Sequence, residues 1–192
     1  MSNIILGAGP SGSGSLTLQA PNTNSVQVAT FPDSTGTVLT TATPQSGGVV
    51  QVIQSTKTNT TTSSSGSYID VGLTATITPK FSTSRIFVIT SFAMASDTGS
   101  ANIYMRIRNT TTGTTVSSDP YHIVRWPADS QAPYYCQRIN LTQIDSPATT
   151  SATTYSIQMY TNAGSFQINM ASNVGGGVTG LVSTITLMEI AA

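Results

Sequence analysis

The residues with the clearest chemical potential are three glycines near the N-terminus. Gly7, Gly9 and Gly12 follow a short apolar run with the G-x-G-x-x-G spacing that binds a dinucleotide pyrophosphate. That chemistry needs a strand before the glycines and a helix after them, because the helix N-terminus holds the phosphates. Residues 13–21 instead alternate polar and apolar side chains and end in proline, which is incompatible with a helix. We therefore predict no dinucleotide and no other cofactor.

Nucleophilic or metal chemistry would depend on His122 and Cys136, the single histidine and the single cysteine of the chain. His122 with Asp119 or Asp129 could form part of a polar site, and Cys136 could pair with His122 as a nucleophile. We favour the ordinary interpretation, in which one is a hydrogen-bonded strand or loop residue and the other a small buried residue. One histidine excludes a multi-histidine metal site, and the seven acids show no local pair of the glycosidase type. We predict no catalytic or metal-binding residues; the enzyme alternative would be a depolymerase.

One segment, residues 119–135, is rich in aromatic side chains. Aromatic rings with polar tips are suited to stacking on sugars or to anchoring an interface. We therefore predict a receptor-binding site formed by Tyr121, His122, Arg125 and Trp126. The alternative interpretation is that Trp126 fills the core beneath a proline-flanked loop.

Charge is scarce and balanced in this chain. Seven basic and seven acidic residues make up 7% of 192 residues, where soluble domains average about 25%. A neutral chain lacks the basic patch that nucleic-acid binding requires, and no run of about 18 apolar residues is present for membrane insertion. A surface with so little charge is suited to burial against copies of the same chain or a larger assembly.

The elements that must position these residues are predicted to be strands. The chain contains 33 threonines and 26 serines, and β-branched residues favour pleated sheets. Apolar side chains alternate with polar ones in residues 67–78, 101–108, 154–160 and 165–170, which is typical of half-buried antiparallel strands. Further strand-like runs lie near 48–54, 121–126 and 134–144. About nine short strands separated by turns predict a β-sandwich or jelly roll.

Two segments carry apolar side chains on both faces. They are residues 86–94 and the C-terminal run Leu181–Ile190. Such strands are expected in the centre of a sheet or in a subunit interface. We predict that a subunit interface includes Phe87, Ile89, Leu181 and Leu187.

The chain is predicted to divide near residue 47. Residues 1–47 are rich in Gly, Ser, Thr, Asn and Pro and cannot bury a core alone, so we expect an extended arm. Residues 48–192 are expected to form the antiparallel β-sandwich. The fold class is therefore all-β, with an attachment arm followed by a jelly-roll-like domain.

The arm resembles a segment found in bacteriophage virion structural proteins. The resemblance covers residues 12–41 and is carried by GSGSLTLQAPNTNS (residues 12–25) and ATFPDSTGTVLT (residues 29–40). Tail fibres and related virion proteins of phages that infect aquatic bacteria carry similar text. The segments 55–92 and 183–192 resemble the C-terminal domains of such proteins more loosely.

This resemblance implies a homotrimer assembled in the bacterial host cytoplasm and located in the virion. It implies trimeric jelly rolls of the tumour-necrosis-factor-like type, an arm attached to other tail or capsid proteins, and a host surface glycan or protein as receptor. We therefore predict a non-enzymatic surface appendage of the short tail fibre or receptor-binding type. The alternatives are a capsid decoration (cement) protein that stabilises the phage head and, more remotely, a monomeric carbohydrate-binding or adhesin module.

Overall fold

The computed structural model describes residues 45–116, 122–125, 136–170 and 180–192. Nearly all of the predicted arm, residues 1–47, lies outside the described residues. The described part of the chain folds into eleven strands: β1 Val49–Lys57, β2 Thr61–Ser63, β3 Ile69–Ile77, β4 Arg85–Ser96, β5 Asn102–Asn109, β6 Thr114–Thr115, β7 His122–Arg125, β8 Cys136–Asp145, β9 Thr153–Thr161, β10 Phe166–Ile168 and β11 Ser183–Ile190. Within these ranges no helix is long and apolar enough to cross a membrane.

The strands form two antiparallel sheets. In the first sheet β11 lies between β1 and β4, and β8 pairs with the other edge of β4. Strand β10 pairs with the C-terminal end of β4 and also with β2. In the second sheet β9 lies between β3 and β5, and the other edge of β5 pairs with β6 and β7. The predicted all-β sandwich is therefore confirmed.

The core lies between the two sheets and follows from alternation along each strand. Most inward side chains of β3, β5 and β9 are apolar and buried, so the period-two predictions for these segments are confirmed. The principal core side chains are Val71, Leu73, Ile77, Ile86, Val88, Phe92, Ile103, Met105, Ile107, Tyr155, Ile157, Met159, Phe166, Ile168, Ile185 and Leu187. The outward side chains of the same strands are left to form the two outer surfaces of the sandwich.

The strands predicted to be central are central. β4 has partners on both edges, and β11 lies between β1 and β4. Their second apolar set therefore lies on the outer surface of the first sheet. The structure also contains two short strands, β2 and β6, that are not among the nine predicted from the sequence. Strands of two or three residues are too short to show periodicity in a sequence.

A buried carboxylate fastens the first sheet to the turn that follows β3. Glu189 is 0% exposed; its Oε2 accepts a hydrogen bond from Gln51 Nε2 at 2.6 Å, and its Oε1 accepts from the Lys80 amide at 2.7 Å and the Phe81 amide at 3.2 Å. Burial acts to raise the pKa of Glu189, but these hydrogen bonds outweigh it and hold the pKa below its ordinary value. The ionised carboxylate thus links β1, β11 and the turn.

Candidate functional site

The sandwich has two outer surfaces with different chemistry. We call the outer side of β1, β11, β4 and β8 the first face, and the outer side of β3, β9, β5 and β7 the second face. Each consists of the side chains that alternate with the core residues of its strands. The predicted interface and receptor residues are best described by the face on which they lie.

The second face carries a row of three tyrosines. Tyr104 on β5 lies opposite Tyr160 on β9, and their rings stack with centroids 4.3 Å apart and planes inclined by 2°. Tyr68, which precedes β3, meets Tyr160 edge-on with centroids 4.7 Å apart and planes at 81°. Stacked and edge-on pairs are the favoured aromatic geometries. The three half-buried rings therefore hold one another in fixed positions.

A β-bulge places Tyr68 in this row. The pairing of β3 with β9 changes register between Asp70 and Thr74, and Gly72 adopts φ +76° at the bulge. This left-handed conformation favours glycine, because a Cβ would crowd the backbone. The bulge brings Asp70 opposite Gln158, and the Asp70 carboxylate accepts a hydrogen bond from the Gly72 amide at 2.7 Å.

Arginines lie beside the tyrosine row. Arg106 faces Gln158 across the β5–β9 pair, and its Nε and Nη2 donate to Gln158 Oε1 at 3.0 and 2.7 Å. The guanidinium carbon also lies 3.9 Å from the centre of the Tyr68 ring, a cation–π contact. Burial first, and then the positive charge of Arg108, lower the pKa of Arg106. Arg106 nevertheless remains a cation at neutral pH, because its guanidinium group does not deprotonate in proteins.

The predicted receptor-binding strand joins this face. His122 and Arg125 are the first and last residues of β7; the register places Ile123 opposite Tyr104 and Arg125 opposite Asn102. Arg125 is exposed, and Ile123 is 51% exposed. Tyr121 and Trp126 lie outside the described residues. The receptor prediction is therefore still a prediction: Arg125 has the register of the second face, whereas His122 pairs with the core residue Met105.

The sequence analysis missed the tyrosine row itself. Tyr104, Tyr160 and Arg106 occupy the polar positions of two alternating strands, so a signal was present in the pattern. Which strands pair, and in which register, decides that Tyr104 and Tyr160 meet. Tyr68 falls within the alternating run 67–78 but precedes β3, which begins at Ile69.

The first face carries an apolar row instead. Register places Val52, Met188, Phe87 and Ile144 side by side across β1, β11, β4 and β8. Val52 and Ile144 are each 52% exposed, and the other two are half-buried. The next two rows are uncharged: Gln54, Thr186, Ile89 and Thr142, then Thr56, Thr184, Ser91 and Asn140.

The predicted trimer-interface residues divide between surface and core. Phe87 and Ile89 are half-buried on the first face, and Leu181 is half-buried just before β11. Leu187 is 0% exposed, because its position on β11 directs its side chain into the core. The assignment of Leu187 to an intermolecular surface is therefore corrected: it stabilises the sandwich from within.

Two further polar groups, the Tyr155 phenol and the Cys136 thiol, have pKa values raised by their surroundings. Asp145 Oδ2 accepts hydrogen bonds from the Tyr155 hydroxyl at 2.8 Å and from Asn109 Nδ2 at 3.2 Å, beside a pocket of about 380 Å³. Burial and the adjacent Asp145 raise the pKa of Tyr155, so the phenol stays protonated and donates. Partial burial raises the pKa of the exposed Cys136 thiol more than Arg138 lowers it, so the weakly nucleophilic thiol predominates near neutral pH.

No protein-family model matches the chain, and no curated protein matches it. Among solved structures it is similar to the VP2 subviral particle of infectious bursal disease virus, with 13% identity, a TM-score of 0.38, and 74% of this chain and 37% of that one covered. It is also similar to a mutant VP2 protein of the same virus in derived T=1 particles, with 13% identity, a TM-score of 0.39, and 74% of this chain and 36% of that one covered. The structure of the Gx strain of the virus has 12% identity and a TM-score of 0.35, with 73% of this chain and 42% of that one covered.

The chain thus spans less than half the length of these viral proteins.

Proposed function

We propose that this chain is a non-enzymatic structural protein of a bacteriophage virion, a homotrimeric surface appendage of the short tail fibre or receptor-binding type. The observation that carries the proposal is the first face, a sheet surface whose central rows are uncharged and include an exposed apolar row. The resemblance of residues 12–41 supplies the phage and virion assignment. In this proposal the first face binds other copies, the second face meets the host, and the arm attaches to neighbouring virion proteins.

The apolar row supports association between copies. Val52 and Ile144 lie at opposite edges of the first sheet and are half exposed, with Phe87 and Met188 between them. Burial of apolar surface contributes about 25 cal/mol per Å², and the central rows contain no charge that would have to be desolvated. Charge depletion around apolar side chains is the usual composition of an interface core.

The ends of the first face frame this surface. Arg85 precedes the apolar row on β4, and Arg138 lies at the opposite end on β8, where its Nη1 donates to Ser91 Oγ and to the Val182 carbonyl at 3.2 Å each. Charged residues at the rim and neutral residues in the centre are the arrangement expected of a protein interface.

Light scattering on the full-length recombinant protein tests the trimer. We expect three times the monomer mass, and the same stoichiometry after deletion of residues 1–47. Ile144→Glu should reduce the mass to one copy, because it places a charge in the apolar row. The matched control is Ile123→Glu, at a residue equally exposed on the second face, which should stay trimeric. A folded monomer at full length, or a trimer that survives Ile144→Glu, contradicts the proposal.

Immunogold labelling tests the location in the particle. Antibodies against the recombinant protein should label the tail of virions of the phage that encodes the chain. Labelling spread over the head would support the capsid decoration alternative instead. Absence of label from intact virions, with label on the purified protein as a positive control, would contradict a surface role.

A further inference from the structure

We infer that the second face binds an acidic saccharide, with a sugar carboxylate held by the Arg106–Arg108 pair and the sugar ring lying against the tyrosine row. This inference rests on the proposed receptor-binding function and names the class of its ligand. It differs from the sequence prediction, because its principal residues lie on β5, β9 and the residue before β3 rather than on residues 121–126.

The second face carries a cluster of positive charge. Arg106 and Arg108 project from the same side of β5, and among the described residues neither donates a hydrogen bond to a carboxylate. Arg125 adds a third exposed cation at the β7 edge. These are three of only seven basic residues in the chain. Two cations held side by side repel each other, and a bound anion removes that repulsion.

The one acid of the described second face is already engaged. Asp70 lies beyond Gln158, accepts from the Gly72 amide, and interacts electrostatically with Lys57. Among the described residues Asp70 makes no hydrogen bond to Arg106 or Arg108. The positive charge of Arg106 and Arg108 is left for a ligand.

The Arg106 guanidinium is already held in a fixed position before any ligand binds. Gln158 fixes the Arg106 guanidinium through two hydrogen bonds, and the Tyr68 ring lies against its face. An arginine has five N–H donors, so donors remain for an anion after two are used by Gln158. A guanidinium already held in place loses little side-chain entropy on binding, which favours affinity. Carboxylates fit the planar guanidinium in a bidentate manner.

The surface beside the arginines suits a sugar ring. Tyr104 and Tyr160 present rigid, half-buried aromatic rings there, and Ile123 extends the apolar surface. Amphipathic rings of this kind match the apolar and hydroxyl faces of a sugar. Three arginines are too few to follow a nucleic-acid backbone, whose affinity depends on many phosphate contacts. The arrangement therefore selects a small acidic sugar.

Calorimetric titration of the full-length protein tests the inference. The probes are trigalacturonate, a glucuronate-containing disaccharide and sialyllactose, each beside its neutral methyl ester. We expect at least one acid to bind about tenfold or more tightly than its ester, the size of one charge-assisted hydrogen bond. Arg108→Gln should weaken that acid about tenfold, and Tyr104→Leu should weaken both acid and ester several-fold. The matched control, Arg138→Gln on the first face, should leave the affinity unchanged.

The outcomes separate the two proposals. Failure of all three acids to bind, equal binding of acid and ester, or equal losses from Arg108→Gln and Arg138→Gln would overturn the acidic-saccharide inference. A trimeric protein that binds none of them would retain the association part of the proposed function. If the protein is a monomer and binds the acid in a manner that depends on Arg108, the acidic-saccharide inference stands and the homotrimer proposal is wrong. Thermal unfolding of each variant shows that a lost signal is not lost folding.

Discussion

The two sheets of the sandwich use their few charged residues in opposite ways. The first sheet directs Glu189 into the interior and keeps charge out of the centre of its outer surface, where the apolar row Val52, Met188, Phe87 and Ile144 lies between Arg85 and Arg138. The second sheet has apolar inward side chains and directs Arg106 and Arg108 outward beside tyrosines. In a chain with 14 charged residues, the placement of each charge therefore distinguishes one surface from the other.

This contrast shows that a low charge content does not make a surface uniform. A neutral apolar surface favours contact with an equally neutral partner, whereas a cationic aromatic surface favours an anionic one. The same β-sandwich can thus offer one face to its own copies and the other to a different ligand. The predictions below test that division.

The largest expected effect is at the inward charge. Glu189→Ala should lower the free energy of unfolding by about 3 kcal/mol, because it leaves buried donors of Gln51, Lys80 and Phe81 without their acceptor. Arg108→Gln, at an outward charge, should change it by less than about 0.5 kcal/mol. Urea unfolding measures both. Equal losses would show that the inward and outward charges do not differ in their structural role.

The second effect is the pH dependence that Glu189 confers. Its pKa in the folded protein is lower than its ordinary value of 4.5, so its stabilisation is fully present above that value and is lost as the pH falls through the folded pKa. Asp97 contributes to the pH dependence in the same direction. Burial raises the pKa of Asp97, but hydrogen bonds from the Ser165 amide, the Ser165 hydroxyl and Thr98 outweigh burial and lower the pKa overall. Urea unfolding at a series of pH values from 7 downward should show that the free energy of unfolding falls only below about pH 4.5. The fall with pH should be less steep in Glu189→Gln. An unchanged slope in that variant would refute the assignment.

The third expected effect is that salt weakens ligand binding at the second face but not association through the first face. Raising NaCl from about 50 to 500 mM shortens the Debye length several-fold, so acidic-saccharide affinity should fall about fivefold. The trimer should keep its mass, because its interface is neutral and apolar burial is not screened. Calorimetry and light scattering on the same samples provide the two readings. Dissociation of the trimer at high salt would mean that charge holds it together.

The smallest effect adjusts the first face by one group. Thr142 on β8 is exposed and lies opposite Ile89. Thr142→Val replaces a hydroxyl with a methyl in the proposed interface and should tighten the trimer about twofold. Thr76→Val, on the exposed side of β3, should leave the trimer unchanged. Sedimentation equilibrium measures the dissociation constants, and a weaker trimer in Thr142→Val would argue that this position is solvated rather than buried.

Much of the fold could be predicted from local pattern. Alternation in residues 67–78, 101–108 and 154–160 gave the strands and their buried sides correctly, because side chains on a strand point to opposite faces in turn. The two apolar sides of residues 86–94 correctly indicated a central strand. The strand near Leu187 was also found, but its two apolar sides could not be assigned to core and surface without knowledge of the partner strands.

The candidate site was predictable only in part. An aromatic cluster drew attention to residues 119–135, and the described part of that segment does lie beside the second face as β7. The tyrosine row was not found, because Tyr68, Tyr104 and Tyr160 are far apart in sequence and are joined only by strand pairing and a bulge.

The sequence by itself determined an all-β chain with little charge, strands of defined polarity and no sequence context for a dinucleotide site, because composition and period-two alternation are local properties. The tertiary structure decided which strands are neighbours and in what register. That decision aligned Val52, Met188, Phe87 and Ile144 on one surface, and Tyr104, Tyr160 and Arg106 on the other. Both surfaces depend on hydrogen bonds between segments distant in sequence, whose register the alternating pattern leaves open.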